Sequence, residues 1–148
     1  MTELPGSILF ACTHNAIRSP IAEALMKRLH GRRVFVQSVG VRVQPVDPFA
    51  IAVMDEIGLD IARHRGRSFD DLEDNYFDLV ISLSPEAQHR AVELTRNASC
   101  EIEFWPTLDP SIIEGSREVR LDAYRGLRDD LLDRLQRRFP HSPAPVMA

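Results

Sequence analysis

The chain is poor in cysteine, with two in 148 residues. That excludes a disulfide framework and suits a reducing compartment. It is nearly without lysine: Lys27 stands alone among 18 basic residues, and the rest are arginine. Positive charge is not in excess either. The formal net charge is −4, so the chain lacks the global basic field that nucleic acid or an anionic membrane would require. No apolar run approaches the roughly 18 residues of a membrane span. The opening, MTELPGSILF, has neither a basic leader nor the apolar core of a signal peptide. The five histidines are scattered and the two cysteines distant, so no metal-ligand cluster stands out. No internal repeat or low-complexity segment is visible. The remaining composition, 44% apolar and 27% charged, is that of an ordinary globular protein. We therefore expect one cytoplasmic domain over 1–148, with no metal or other cofactor and no nucleic-acid or membrane partner. The sequence leaves the oligomeric state open.

The hydrophobic pattern alternates between short apolar runs and amphipathic stretches. Ser7 to Ala11 is short and continuously apolar, as a buried parallel strand is. Ser19 to Leu29 follows with Ile21, Leu25 and Leu29 on one helical face, beside Ala22 and Met26, and Gly31 ends it. Val34 to Val39 predicts a second strand, stopped by Gly40. Asp47-Pro48 is a cap followed by a proline at the first helical position. That helix turns Ile51, Met54 and Ile57 inward and ends at Gly58. Leu59 to Asp74, with His64, Arg65, Arg67 and Ser68, reads on composition as a charged, irregular loop. Phe77 to Leu83 predicts the third strand and Pro85 to Arg96 a weakly apolar helix carrying Ala87, Ala91, Val92 and Leu94. After a turn at Asn97-Ala98-Ser99, Glu101 to Trp105 alternates as an edge strand would. Pro106 to Ser111 is a rigid turn. The last helix, Arg117 to Phe139, carries Val119, Leu127, Leu131, Leu135 and Phe139 at four-residue spacing, and the proline-bearing tail 141–148 should fray. Strand and helix alternate throughout, which predicts an α/β fold with a four-stranded open parallel sheet and helices on both faces.

One loop carries candidate chemistry. Cys12-Thr13-His14-Asn15-Ala16-Ile17-Arg18 joins the first strand to the first helix, with five residues between cysteine and arginine. Such a loop can wrap a tetrahedral anion, pointing its backbone N–H groups inward under the positive end of the helix dipole. The same field favours the thiolate of a cysteine at its mouth. Arg18 can grip two phosphate oxygens with its planar fork. Ser19 suits a helix cap and can also donate a hydrogen bond to the thiolate. Taken alone, the pattern equally fits a packed cysteine. Ligands of open parallel sheets sit beyond the carboxyl ends of the strands, so the Cys12 loop and the Asp109 turn belong on one rim.

With Cys12, Arg18, Ser19, Pro20 and a late Asp109-Pro110, the chain resembles the low-molecular-weight protein tyrosine phosphatases, from Ser7 to Phe139. Members open with an apolar strand and Cys-x-Gly-Asn-x-Cys-Arg-Ser-Pro. The resemblance implies a phosphomonoester hydrolase acting through a phosphocysteine. Cys12 is then the nucleophile, Arg18 the phosphate clamp and Asp109 the general acid. The loop residues Thr13, His14, Asn15, Ala16 and Ile17 then line the phosphate, and Ser19 steadies the thiolate. Asn15 holds the loop through its side chain, and His64 and Arg67 brace it from behind. The implied partner is a phosphate monoester, including phosphotyrosine protein.

Three departures mark this chain within that resemblance. Ile17 stands where the family has a second cysteine, so the nucleophile has no neighbouring thiol to form a protective disulfide. His14 replaces a glycine. Ser111-Ile112-Ile113 stands where members acting on phosphotyrosine often carry aromatics. Two rival readings follow. His14-Asn15-Ala16 also resembles the loop of arsenate reductases on the same fold, whose relay members carry a further cysteine after strand three. Ser84 occupies that region here and Cys100 reads as a packed thiol, so reduction would need an external thiol donor. The other rival is a non-catalytic phosphate-binding module, against which the joint presence of Cys12, Arg18 and Asp109 argues.

Overall fold

The protein is represented by a computed structural model that describes residues 4–72, 76–96 and 99–140. The turn expected at Asn97-Ala98 and the tail 141–148 lie outside them.

Four strands and four helices alternate along the chain. They are β1 (Ser7–Cys12), α1 (Arg18–His30), β2 (Phe35–Gly40), α2 (Pro48–Asp55), β3 (Leu79–Ser82), α3 (Pro85–Leu94), β4 (Glu101–Phe104) and α4 (Arg117–Arg138). Two 3-10 turns, Phe69–Asp71 and Pro110–Ile112, punctuate the loops. All strand pairings are parallel, in the order β2-β1-β3-β4. The chain goes from β1 outward to β2 on one side, then crosses to β3 on the other. The carboxyl end of β1 is therefore the switch point, where an open α/β sheet leaves a crevice.

Alternation along the strands sorts the core into two layers. Ile8, Phe10, Val36, Leu79 and Ile81 face α1, α2 and α4, meeting Ile21, Leu25, Met54, Leu131 and Leu135. Leu9, Ala11, Val39 and Val80 face α3 through Ala87 and Ala91. Capping fixes where helices begin. Asp47 accepts from the N–H of Phe49 and Ala50, Ser84 from Ala87, and Ser116 from Val119. Among the described residues no helix is long and apolar enough to cross a membrane.

Several boundaries and faces differ from expectation. α1 starts at Arg18, one residue early, with Ile17 rather than Ser19 in the cap position. The Ser19 hydroxyl is turned to other partners. α2 stops at Asp55, and Gly58 is used afterwards, at φ 77°, to reverse the chain. β2 runs through Gly40 instead of stopping before it. Val92 is exposed on α3, and on α4 Val119 is exposed while Leu121, absent from the expected stripe, is buried.

Candidate active site

Cys12 is the last residue of β1 and Arg18 the first of α1. The chain between them is strapped from outside. The carbonyls of Cys12, Thr13, His14 and Ala16 accept from the N–H groups of Val41, Arg42, Gln44 and Asp47 at 3.1, 2.8, 3.1 and 3.0 Å. Among the described residues, the N–H groups from His14 to Ser19 donate to no protein atom. Carbonyls satisfied on one side and amides left over on the other make a concave donor set suited to an oxyanion.

Asn15 is the hub. It is the only non-glycine among the described residues with positive φ, 52°, a conformation asparagine tolerates better than most. His14 does not need the backbone freedom of the glycine it replaces. The Asn15 amide is fully engaged. Oδ1 accepts from the backbone N–H of Arg67 at 3.1 Å and faces His64 Nε2 at 3.0 Å. Nδ2 donates to Ser19 Oγ at 2.8 Å and Ser38 Oγ at 3.0 Å. Because the Arg67 N–H can only donate, the oxygen assignment is fixed and His64 donates its Nε2–H. Burial pushes the His64 pKa down, against a smaller upward pull from Glu23.

The orientation of Asn15 also decides what Ser19 does. Its Oγ receives Asn15 Nδ2–H, and its own hydrogen has two acceptors in reach, Cys12 Sγ at 2.8 Å and the more distant Val39 carbonyl at 3.4 Å. Cys12 is buried, 2% exposed. Arg18 is equally enclosed. It donates through Nη1 to the Thr107 carbonyl at 2.9 Å and makes longer contacts, 3.5 Å, to the Leu83 carbonyl and Thr13 Oγ1. The ends of β3 and β4 thus aim the guanidinium from behind.

Asp109 caps the turn Pro110–Ile112, its Oδ1 accepting from Ser111 N–H at 2.9 Å and Ser111 Oγ at 2.7 Å. A cleft of about 180 Å³ gathers these parts. Cys12, His14, Ala16, Ile17 and Arg18 form its base, Gln44, Pro45 and Asp47 one wall, and Asp109 and Ser111 the other. Among the described residues no Phe, Tyr or Trp lines it.

The sequence model of the low molecular weight phosphotyrosine protein phosphatase family matches residues 7–137. The chain belongs to this family. An arsenate reductase of Bacillus subtilis is 30% identical over 129 residues, 87% of this chain and 91% of the relative. Among solved structures, a YwlE mutant from Bacillus subtilis superposes with TM-score 0.71 at 26% identity, covering 88% of this chain and 93% of that one. The tyrosine phosphatase Wzb from Escherichia coli K30, solved with sulphate, gives TM-score 0.70 at 25% identity, covering 90% and 98%.

Within this phosphatase-family chain the anticipated residues do not all face one way. Cys12, Arg18 and Asp109 meet at the cleft together with His14, Ala16 and Ile17. Thr13, Asn15 and Ser19 sit behind the loop: the Thr13 hydroxyl donates to Ser84 Oγ at 3.0 Å. Arg67 supports Asn15 through its backbone rather than its side chain. Sequence reading missed Ser38, which receives Asn15 and donates to Glu23. A hydroxyl in the middle of an apolar strand was the available signal. It also missed Gly40, where a Cβ would come within 2.7 Å of Asn15 N and 2.8 Å of His14 C. Among the described residues no group of three or more His, Cys, Asp or Glu is placed to hold a metal.

Cys100 precedes β4 at the other end of the sheet. Glu101 pairs beside Leu79, and Leu79 beside Ile8. Cys100 therefore lies roughly 16 Å below Cys12 along the strand direction, at about 3.3 Å per residue. That is beyond the ~7 Å Cα separation a disulfide allows. Burial also pushes its pKa up, which disfavours a thiolate.

Proposed function

We propose that this chain is a cysteine-dependent phosphomonoester hydrolase. The observation that carries the reading is the approach of Ser19 Oγ to Cys12 Sγ, 2.8 Å, at the base of a cleft that also holds Arg18 and Asp109. A hydroxyl at that distance can donate to a thiolate, which a nucleophile needs and a binding module does not. In the mechanism, Cys12 attacks phosphorus in line while the loop amides and Arg18 hold the three equatorial oxygens. Asp109 gives its proton to the leaving oxygen through Oδ2, since Ser111 holds Oδ1. The phosphocysteine is then hydrolysed by water that Asp109 deprotonates. Every group required is a side chain or amide of this chain. A described lining without Phe, Tyr or Trp favours substrates other than phosphotyrosine proteins.

The test is hydrolysis of para-nitrophenyl phosphate at mildly acidic pH by the purified protein beside Cys12→Ser. Turnover should fall by at least a thousandfold in the variant, because serine supplies no thiolate. Equal turnover would refute the reading.

A second reading rests on the relatives named arsenate reductases. Arsenate fits the same cradle, but a two-electron reduction needs further thiols. Cys100 is out of reach, and Ser84 stands after β3. The reductant would have to be an external low-molecular-weight thiol. Arsenite release dependent on added thiol, in protein inactive on the aryl phosphate, would favour this reading.

A further inference from the structure

The cleft has cationic neighbours that the proposed hydrolysis leaves unused. Arg117 and Arg120 stand at the start of α4, and Tyr124 follows one turn on. Spacings of three and four residues put all three on one helical face. That face meets Phe49 of α2. The Arg117 and Arg120 Cζ atoms lie 5.3 and 4.4 Å from the centre of the Phe49 ring, and the Tyr124 ring centre lies 5.3 Å from it. The assembly adjoins the cleft through Asp47, a wall residue. Asp47 accepts from the Phe49 N–H at 2.7 Å and from the Tyr124 hydroxyl at 3.0 Å. Burial first, then Asp47 and Asp109, push the Tyr124 pKa up, and Arg120 pulls it down. Arg120 and the candidate general acid are thus within electrostatic reach of the same hydroxyl.

Among the described residues neither guanidinium has an ion-pair or hydrogen-bond partner. Glu118 and Asp122, the first acids on α4, are both bound to Arg125, at 2.7 and 2.6 Å. Further along, Arg128 is taken by Glu56 and Asp129. Two like charges gathered on one ring repel each other, and an anion bound to both offsets that. The ring holds the guanidiniums through cation–π attraction, which leaves their N–H forks for an oxyanion. Their charge also counters the Asp47 and Asp109 carboxylates, which would otherwise repel a second negative group in the cleft.

We propose that Arg117 and Arg120 form a second anion subsite, which takes a carboxylate or a further phosphate borne by the same molecule whose phosphoryl group sits in the Cys12 loop. The substrate class is then a phosphate monoester with a second anionic group. That group is either an acidic residue beside a phosphorylated one or a second phosphate on a small molecule. The subsite selects among substrates and takes no part in bond breaking. It rests on the proposed reading of the cleft as a phosphate-monoester site, but needs only that the phosphoryl group binds there.

Binding is measured by isothermal titration calorimetry on Cys12→Ser, so that turnover does not enter. One ligand pair is a short phosphoserine peptide flanked by glutamate or by glutamine. The other is propane-1,3-diyl bisphosphate against propyl phosphate. In at least one pair the more charged member should bind about fivefold more tightly, a preference that shrinks as salt rises. In Cys12→Ser/Arg117→Gln/Arg120→Gln the preference should fall below about twofold, whereas a loosened fold would weaken both members alike. Arg117→Lys/Arg120→Lys in the same background, which keeps the charge, should retain part of it. Preference in the peptide pair alone assigns an acidic phosphopeptide, in the bisphosphate pair alone a small molecule, and in both a subsite that reads charge. Equal binding within both pairs, no binding of any ligand, or a preference that survives the loss of both arginines would overturn the proposal. Wild-type protein inactive on para-nitrophenyl phosphate, alongside a retained preference, would refute the hydrolase and keep the subsite.

Discussion

A methyl group is the smallest change that can test how the Cys12 loop is held. At Gly40 it would press on the Arg42 carbonyl and on the backbone of His14 and Asn15. Gly40→Ala should destabilise the protein by about 1–3 kcal/mol, the usual cost of overpacking. It should also lower kcat on an aryl phosphate at least tenfold by displacing the loop amides. Urea denaturation and steady-state kinetics check the two effects. Unchanged kinetics would mean the loop absorbs the shift. Asp109→Asn addresses the proton instead. It should slow a substrate with a poor leaving group by about 10²–10⁴-fold, while sparing one whose leaving group barely needs protonation. Equal slowing of both would remove Asp109 from the acid role. Sequence reading singled out Cys12, Arg18 and Asp109, which the fold brings to one cleft, because their side chains are the letters of short motifs. It was silent on the Thr107 and Leu83 carbonyls that aim Arg18, since a carbonyl oxygen has no letter in the sequence.

At the scale of elements, α4 is tied to the end of α2 by charge. Arg125 and Arg128 converge on Glu56, with contacts of 2.8 Å each. Hydrogen bonds from Arg125, then Arg128, hold the Glu56 carboxyl at about 2, below the usual 4.5. A carboxylate depressed by folding contributes stability that is complete above the unfolded value and is lost as pH falls toward the folded one. The thermal midpoint of the wild type should therefore exceed that of Glu56→Gln by a constant margin above pH 5. The margin should shrink between about pH 4.5 and 2. A difference independent of pH would show that the ion pairs are screened by solvent. The stripe on this helix was misread for a geometric reason. Strict four-residue spacing drifts around a helix of 3.6 residues per turn, so Val119 falls off the buried line, while Phe139, just past the helix end, is buried as expected. Leu121, Tyr124, Leu127, Leu131 and Leu135 follow the true line. Strands and helix starts were legible because apolar runs and caps are local. The faces of α3 and α4 were legible at Ala87, Ala91, Tyr124, Leu127, Leu131 and Leu135 but not at Val92, Val119 and Leu121, whose burial depends on what packs against them.

Across the whole molecule, the loop from Cys12 to Arg18 is short in sequence and widely supported in space. Asn15 is bonded to Ser38, His64 and Arg67, and Arg18 to Leu83 and Thr107. The strand order puts β1 in the interior of the sheet, so those supports arrive from both sides. On the ribosome, the candidate nucleophile is made almost a hundred residues before the last of its supports. Until Thr107 and Asp109 have emerged and β4 has joined the sheet, the thiol is an ordinary cysteine on an unfinished chain. The candidate site is therefore assembled only when the fold is nearly complete.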